Sequence, residues 1–531
     1  MLIEPFLASA QSQPDDLAVI DDSGPHTYGQ LAAWSASMCH LIAASTSRDT
    51  VGIMLPSSAG FVASFYGTLW AGKSVVPINF LLSPREIAHV IADSGIDTVI
   101  TLPVLAAKIK DLPLKVIDIS ALQQTSKSST DDSGLQKRTD DSGLRTQRQE
   151  IPESAASSPP PLSPQSSVLS TSFPPLPARR ADDMAVLMYT SGTSGLPKGV
   201  ILSYGNLQSD VDAAIQHADL QHRHKFLGII PLFHSFGMTA CMIAPMQLGS
   251  SVTYMARFNA TAAIKTIREQ AMSLVFAIPS MYAAILFMKS AGPDDFKSVY
   301  ACLSGGEPLP AAVAAGFLQR FGVAICEGYG LTETSPVVSI NVPQSRRTGS
   351  VGRPIPGVKV RLVDDDGNDA PPGQSGEIWL GGPMIMKGYH HLPTETAAAL
   401  TPDGFFKTGD LGHLDPDGYL YVVGRKKDLI IVAGEKAVPR EIEDILQSHA
   451  AVAESAVVGK KDPSRGEVVV AFVTLREGQT ATPEAIRQHC RDAGLPQWKI
   501  PREIFIETDL PRSPTGKVLK RLLRDRVNAT A

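Results

Sequence analysis

The 531-residue sequence predicts an α/β fold: a large N-terminal domain of parallel sheet layered with helices, a β-rich subdomain attached to it, and a small α+β C-terminal domain. Three observations carry that expectation. Short β-branched or apolar runs alternate with helical patterns at the spacing of strand–helix–strand units. Between Gly349 and Gly424 the helical patterns give way to strands separated by DDDGN and DPDG turns. Beyond Lys427 lies a mixed segment of about a hundred residues, enough for a separate small domain. A chain of this length also exceeds what one hydrophobic core usually serves. The domain boundaries follow: residues 1–122 and 181–426 for the N-terminal domain, 123–180 for an insertion, and 427–531 for the C-terminal domain.

From Val51 the order is VGIML, SAGFVASFYGTLWAG, SVVPI, the helical SPREIAHVIADSG, and TVIT. The stretch from Ala59 to Gly72 is the most apolar in the chain, but it is too short to span a bilayer and contains Ser64, Tyr66 and Gly67. It reads as a buried helix. The alternation breaks between about Gln123 and Arg180. There TDDSGLQKR is followed by the near-duplicate TDDSGLRTQ, and residues 151–178 hold eight Pro and eight Ser. Two copies do not make a repeat architecture. A segment this polar and proline-rich cannot build a core, so it is expected to be a disordered or extended surface insertion.

The pattern resumes with AVLMY, a glycine loop, GVIL and a helix through NLQSDVDAAI; then come FLGIIP, a helix from Phe236, SVTYM, TAAIKTIREQ and SLVFAIP. SMYAAILFMK, VYACLSGG, AAVAAGFLQRFG and VAICEGYG complete the series. Several of these strands end in Gly or Pro just before a helix, which is where an open α/β sheet places its ligand. The chemistry is therefore expected at the strand ends.

Composition narrows the function. With 43% hydrophobic and 19% charged residues the chain is ordinary globular protein, and a net charge of −5 argues against nucleic-acid binding. The five cysteines form no C-x-x-C pair and are odd in number, which suits reduced, mostly buried thiols in a cytoplasmic protein. The N-terminus lacks the basic region of a signal peptide. No transmembrane segment is expected, and peripheral membrane contact is left open.

Residues 189–199 read YTSGTSGLPKG. Glycines let backbone N–H groups converge on an anion, and hydroxyls and a lysine add donors, so the loop is a candidate phosphate cradle. It is not a Walker loop. Gly192 and Gly195 lie three apart and Pro197 precedes Lys198, so the required G-x-x-x-x-G-K spacing fails. A plain flexible turn would read the same way. A second pattern follows PLFHSFG: Met238, Met242 and Met246 recur at i, i+4 and i+8, one helical face, with Met281, Ala284 and Met288 as a candidate facing wall. Such a stripe is more often plain core packing. Thioethers also suit a tunnel for a flexible alkyl chain.

Four further segments follow the glycine loop in order: SGGEPLP from Ser304, EGYGLTETSP from Glu327, FKTGDLG from Phe406 and GRKKDLIIVAGEK from Gly424. PTGKVLKR from Pro514 completes the set, and HTYGQLAAW lies near the start. Together they resemble the adenylate-forming superfamily of acyl-CoA synthetases, firefly luciferase and peptide-synthetase adenylation domains, over essentially the whole chain apart from the insertion. The resemblance implies that ATP activates a carboxylate as an acyl-adenylate, with Mg²⁺ and release of pyrophosphate, and that the acyl group passes to a thiol such as that of CoA. AMP is needed because a carboxylate is a poor electrophile, and charge on the α-phosphate must be neutralised as pyrophosphate leaves.

Carried over residue by residue, the resemblance gives Thr190, Ser191, Gly192, Thr193, Ser194, Gly195 and Lys198 to the β- and γ-phosphates. Tyr329, beside Gly330, would stack on adenine near Gly305, Gly306 and Glu307. Thr332 would touch the α-phosphate; Glu333, with Thr190, would help hold Mg²⁺, a hard cation that favours oxygen ligands. Asp410 would accept from the ribose hydroxyls with Arg425 assisting. His234 would stand beside the carboxylate pocket, and Lys517 would bridge the carboxylate and the α-phosphate. Lys427 would be the hinge of a mobile C-terminal domain and Gly434 would face the thiol tunnel. Where relatives often have an aromatic before the proline of KAVPREIE, this chain has Val438.

The uncharged methionine faces favour a medium- or long-chain fatty acid with CoA as acceptor. EGYGLTETSPVVSINVP resembles bacterial acyl-carrier-protein synthetases, so acyl carrier protein is the alternative acceptor, and another apolar acid is the alternative substrate. A nucleotide-binding regulator would have lost Lys517, Glu333 or Asp410, and all three are present.

Overall fold

The computed structural model describes residues 2–120, 173–190, 196–221, 224–512 and 518–529. Two large sheets build the N-terminal part. The first has nine strands in the spatial order Arg353–Pro354, Val337–Ile340, Ile325–Gly330, Ala301–Ser304, Leu274–Ala277, Lys225–Gly228, Ser251–Tyr254, Leu17–Asp21 and Gly24–Thr27. Its six central strands, from Ile325–Gly330 to Leu17–Asp21, run parallel. The second has seven: Gly388–Tyr389, Lys198–Ser203, Met184–Thr190, Ser74–Pro77, Thr50–Met54, Thr98–Thr101 and Lys115–Asp118.

The edges depart from the parallel expectation. Met184–Thr190 and Lys198–Ser203 pair antiparallel with Thr190 opposite Lys198, so the two strands flanking the glycine loop form a hairpin rather than a parallel pair. The physical reason is length: a parallel return needs a crossover of a dozen residues or more, and only the loop separates these strands. The stretch from Lys359 to Arg425 forms a separate four-stranded antiparallel sheet, as the turn-rich pattern predicts.

The main core lies between the two large sheets. The helix Ala59–Trp70 is buried along its whole length there, which agrees with its uninterrupted apolar sequence. Among the described residues no helix is long and apolar enough to cross a membrane. Alternation along single strands splits the packing: Leu274 and Phe276 face the main core, while Val275 and Ala277 face a second core under the helices Ala260–Glu269, Pro279–Phe287 and Ala311–Phe321.

The C-terminal part is a five-stranded sheet with helices on both faces, its strands Val452–Asp462 and Gly466–Leu475 pairing over their full length. It is joined to the four-stranded sheet by a single 3₁₀ turn, Lys426–Asp428. Of the stretch assigned to the insertion, residues 173–180 lie against the body. Trp70 Nε1 donates to the Pro174 carbonyl at 3.0 Å, and its ring packs 5.6 Å from Phe173. Residues 123–172 are outside the described residues.

Candidate active site

The site collects where strands of the nine-stranded sheet end. Ala301–Ser304 runs into Gly305 and Gly306, and Ile325–Gly330 delivers Tyr329. Gly306 takes φ +84°, which a side chain would strain. At Gly330 a Cβ would fall 1.8 Å from the Pro336 carbonyl oxygen, so only glycine lets the chain turn back there. Leu331 N–H donates to that same oxygen at 3.1 Å. The turn fixes the short 3₁₀ segment Thr332–Thr334, which carries Thr332 and Glu333.

Tyr329, Asp410 and Arg425 meet. The Tyr329 hydroxyl donates to Asp410 Oδ2 at 2.6 Å and Arg425 Nε donates to Oδ1 at 3.0 Å. Asp410 and Arg425 are register partners on neighbouring strands, which explains how residues fifteen apart in sequence face each other. The carboxylate is 4% exposed, so it is reached only by a ligand that takes over these hydrogen bonds. Burial, then the Asp410 charge, holds the Tyr329 phenol well above its ordinary value and therefore neutral. Burial alone would lower the Arg425 guanidinium, but Asp410 and Asp428 outweigh it and raise it.

Glu333 and Lys198 share a neighbour that sequence reading did not single out. Tyr389 donates to Glu333 Oε1 at 2.9 Å, and Lys198 Nζ sits 5.5 Å from the centre of the same ring. Gly388–Tyr389 pairs with Lys198–Ser203, so a strand almost two hundred residues away braces the hairpin that carries Lys198. No local pattern marks Tyr389. Burial raises the Glu333 carboxyl, with Tyr389 and Arg425 pulling the other way. As a carboxylate, Glu333 offers the oxygen ligands that Mg²⁺ favours. At the end of the strand Ala301–Ser304, directly before Gly305, the buried Ser304 Oγ has no hydrogen-bond partner among the described residues. Both features suit a nucleotide with its metal.

Thr332 Oγ1 lies 3.2 Å from Ser235 Oγ, at the start of the helical stretch Ser235–Gln247. His234 caps this stretch: its Nδ1 accepts from Phe236 N–H at 3.3 Å, which leaves the neutral ring's proton on Nε2. The methionine stripe runs through the stretch across one π-helical turn, Thr239–Ile243. Met238, Met242 and Met246 are wholly enclosed in the main core, whereas Met281 and Met288 pack against the second core on the opposite face of the sheet. The structure does not bring these two sets together as facing walls. Gly434, at φ +90°, and Lys427 lie in the C-terminal part. Gly434 borders a concavity of about 680 Å³ lined also by Lys461, Arg465 and Glu467. Glu307 follows Gly306 at the strand end. Ser191, Gly192, Thr193, Ser194, Gly195 and Lys517 lie outside the described residues.

A further pair joins the two parts. Arg440, on the helix Pro439–Ser448, donates to the Val422 carbonyl at 2.8 Å and lies 3.8 Å from Glu327. Burial pushes the Glu327 carboxyl up to about 7, with Arg440 only partly offsetting it. The folded chain thus holds this proton more tightly than the unfolded one. The stability it contributes is full below about pH 4.5 and is lost as pH rises through about 7. The expected result is that Glu327→Gln loses less stability than wild type between pH 5 and pH 8, by on the order of 3 kcal/mol. Parallel pH dependence of the two melting temperatures would contradict this.

Residues 6–390 match the family model described as AMP-binding enzyme, and residues 441–517 match its AMP-binding enzyme C-terminal domain. The chain is 34% identical over 498 residues to the long-chain-fatty-acid–CoA ligase of Bacillus subtilis (strain 168), covering 90% of this chain and 85% of that protein. It is also 34% identical over 524 residues to the sulfoacetate–CoA ligase of Cupriavidus necator, covering 96% and 94%. Among solved structures it resembles the o-succinylbenzoate coenzyme A synthetase of Bacillus subtilis in complex with ATP and magnesium ion. That match has a TM-score of 0.81 at 28% identity and covers 98% of this chain and 99% of that one.

Proposed function

Since the chain belongs to the AMP-binding enzyme family and carries its C-terminal domain, we propose that it activates a medium- or long-chain fatty acid as the acyl-adenylate and passes it to CoA. The coarser activity is that of an AMP-forming acid–CoA ligase, using ATP, Mg²⁺ and CoA. The observation that carries it is the joining of Tyr329, Asp410 and Arg425 beside Thr332 and Glu333 at the strand ends.

For the described residues, position supports a task for each; the role of Lys517 rests on the motif alone. Tyr329 offers a neutral ring for adenine and is held in place by Asp410, which exchanges its present donors for ribose hydroxyls. Thr332 and Lys198 place donors toward the phosphates, and the Gly306 turn leaves its backbone open to the base. Glu333 and Thr190 would hold Mg²⁺, which supplies positive charge to the phosphates when bound. His234, its Nδ1 engaged by the helix, would direct Nε2–H toward the carboxylate. Lys517 would neutralise the charge that develops between the carboxylate and the α-phosphate.

The choice of acid rests on the helical stretch from Ser235. It begins against Thr332 and runs into the main core, and no charged residue occurs from Ser235 to Gly249. A sulfonate would require a cation along this path; an alkyl chain requires only apolar surface. If the acyl chain runs along Met242, Met242→Trp lowers kcat/KM for a long acid while sparing a short one. If Met242 is core alone, overpacking costs about 1–3 kcal/mol and depresses both acids alike. The measurement is the ratio of kcat/KM values on folded protein. An unchanged ratio removes this helix from substrate choice. A panel of decanoate, palmitate, ferulate and sulfoacetate, each with CoA and with acyl carrier protein, tests the acid and the acceptor together. Turnover of sulfoacetate in preference to both fatty acids would overturn the proposed substrate.

A further inference from the structure

Behind the phosphate hairpin, Asp93, His390 and His391 form a cluster whose ligating atoms all lie within 4.8 Å of one another. Two chain segments far apart in sequence supply it, and a third touches it. Asp93 comes from the end of the helix Pro84–Ser94, and the two histidines follow the strand Gly388–Tyr389. The hairpin itself enters through Tyr189, whose hydroxyl donates to Asp93 Oδ2 at 2.6 Å. Asp93 Oδ1 faces His391 Nδ1 at 3.7 Å, and the two imidazoles stack with centroids 3.7 Å apart. His390 is anchored by its backbone N–H, which donates to the Gly199 carbonyl at 2.8 Å. His391 holds φ +54°, in the left-handed region that glycine adopts freely.

The arrangement has the parts of a metal site. Two imidazoles and one carboxylate oxygen are the donor set that borderline transition metals prefer, and Mg²⁺ does not. The second carboxylate oxygen is already held by Tyr189, as the outer partner of a ligating carboxylate usually is. Ligands about 2.1 Å from a tetrahedral ion stand about 3.4 Å apart, so on binding the ligating atoms close in and the stacked imidazoles turn out of their stack to converge on one ion. We propose that Asp93, His390 and His391 bind one zinc-class divalent ion, separate from the nucleotide's Mg²⁺, that ties the helix Pro84–Ser94 to the base of the phosphate hairpin.

The test uses the full-length chain stripped with EDTA and then titrated with Zn²⁺ alone in excess Mg²⁺. Wild type is expected to take up a tight equivalent of Zn²⁺ per chain, read by equilibrium dialysis, with a rise in melting temperature. His391→Gly accepts the left-handed backbone without strain and so keeps the fold. It should lose that equivalent, its affinity falling by at least about tenfold. Asp93→Ala, checked for folding by its melting curve without metal, should do the same. No uptake by wild type at micromolar free Zn²⁺, or undiminished uptake by either variant, would overturn the proposal.

Discussion

Lys517→Ala is expected to abolish formation of the acyl-adenylate, by about 10²–10³-fold or more, while largely sparing thioester formation from presynthesised acyl-adenylate. The asymmetry follows from the proposed rotation of the C-terminal domain: a lysine of the S-P-T-G-K segment that bridges the carboxylate and the α-phosphate would serve only the arrangement in which that domain covers the α-phosphate. The single 3₁₀ turn Lys426–Asp428 between the sheets would be the place for that rotation. The two half-reactions are measured separately, by acid-dependent pyrophosphate release and by CoA-dependent consumption of the adenylate. Equal loss in both would remove Lys517 from its assigned role.

Asp410→Ala should weaken ATP binding by about 10²-fold. Two hydroxyl donors to an ionised acceptor are each lost at about 1.5–3 kcal/mol, less what water restores. Arg425, whose side chain is 47% exposed, can turn to solvent, so the fold should survive the change. Tyr329→Phe keeps the ring for adenine and removes only the hydroxyl, and its effect should be several-fold at most. Calorimetric titration of ATP into each folded variant checks this. Unchanged ATP affinity in Asp410→Ala would mean that the Tyr329–Asp410–Arg425 group is structural.

The sequence made the site legible as a set of ordered motifs, and the structure brings several of them into one place: Tyr329 on Asp410, Asp410 on Arg425, Thr332 beside Ser235. What stayed hidden is contact between remote segments. Tyr389 binds Glu333 and shelters Lys198, yet nothing around GYHH distinguishes it from an ordinary strand aromatic. The Glu327–Arg440 pair is likewise visible only once the C-terminal helix is packed against the strand end. The methionine pattern shows the opposite limit. Periodicity reveals that a face is apolar, but which side of a sheet the helix covers depends on strand order, and that placed Met281 in a different core from Met242.

The turns and pairings were legible to different degrees for a related reason. The β-rich stretch announced itself through DDDGN and DPDG because turn chemistry is local. The antiparallel hairpin around the glycine loop was legible only by counting the residues between its strands, since pairing direction leaves no mark on composition.

The central claim, that this chain adenylates a carboxylic acid, is tested most directly by identifying the nucleotide products. Purified protein is incubated with ATP, Mg²⁺ and a fatty acid, with and without CoA, and the products are separated. The account predicts AMP and pyrophosphate in equal amounts, dependent on the acid and sustained over many turnovers when CoA is present. ADP and inorganic phosphate, or nucleotide hydrolysis indifferent to the acid, would contradict it.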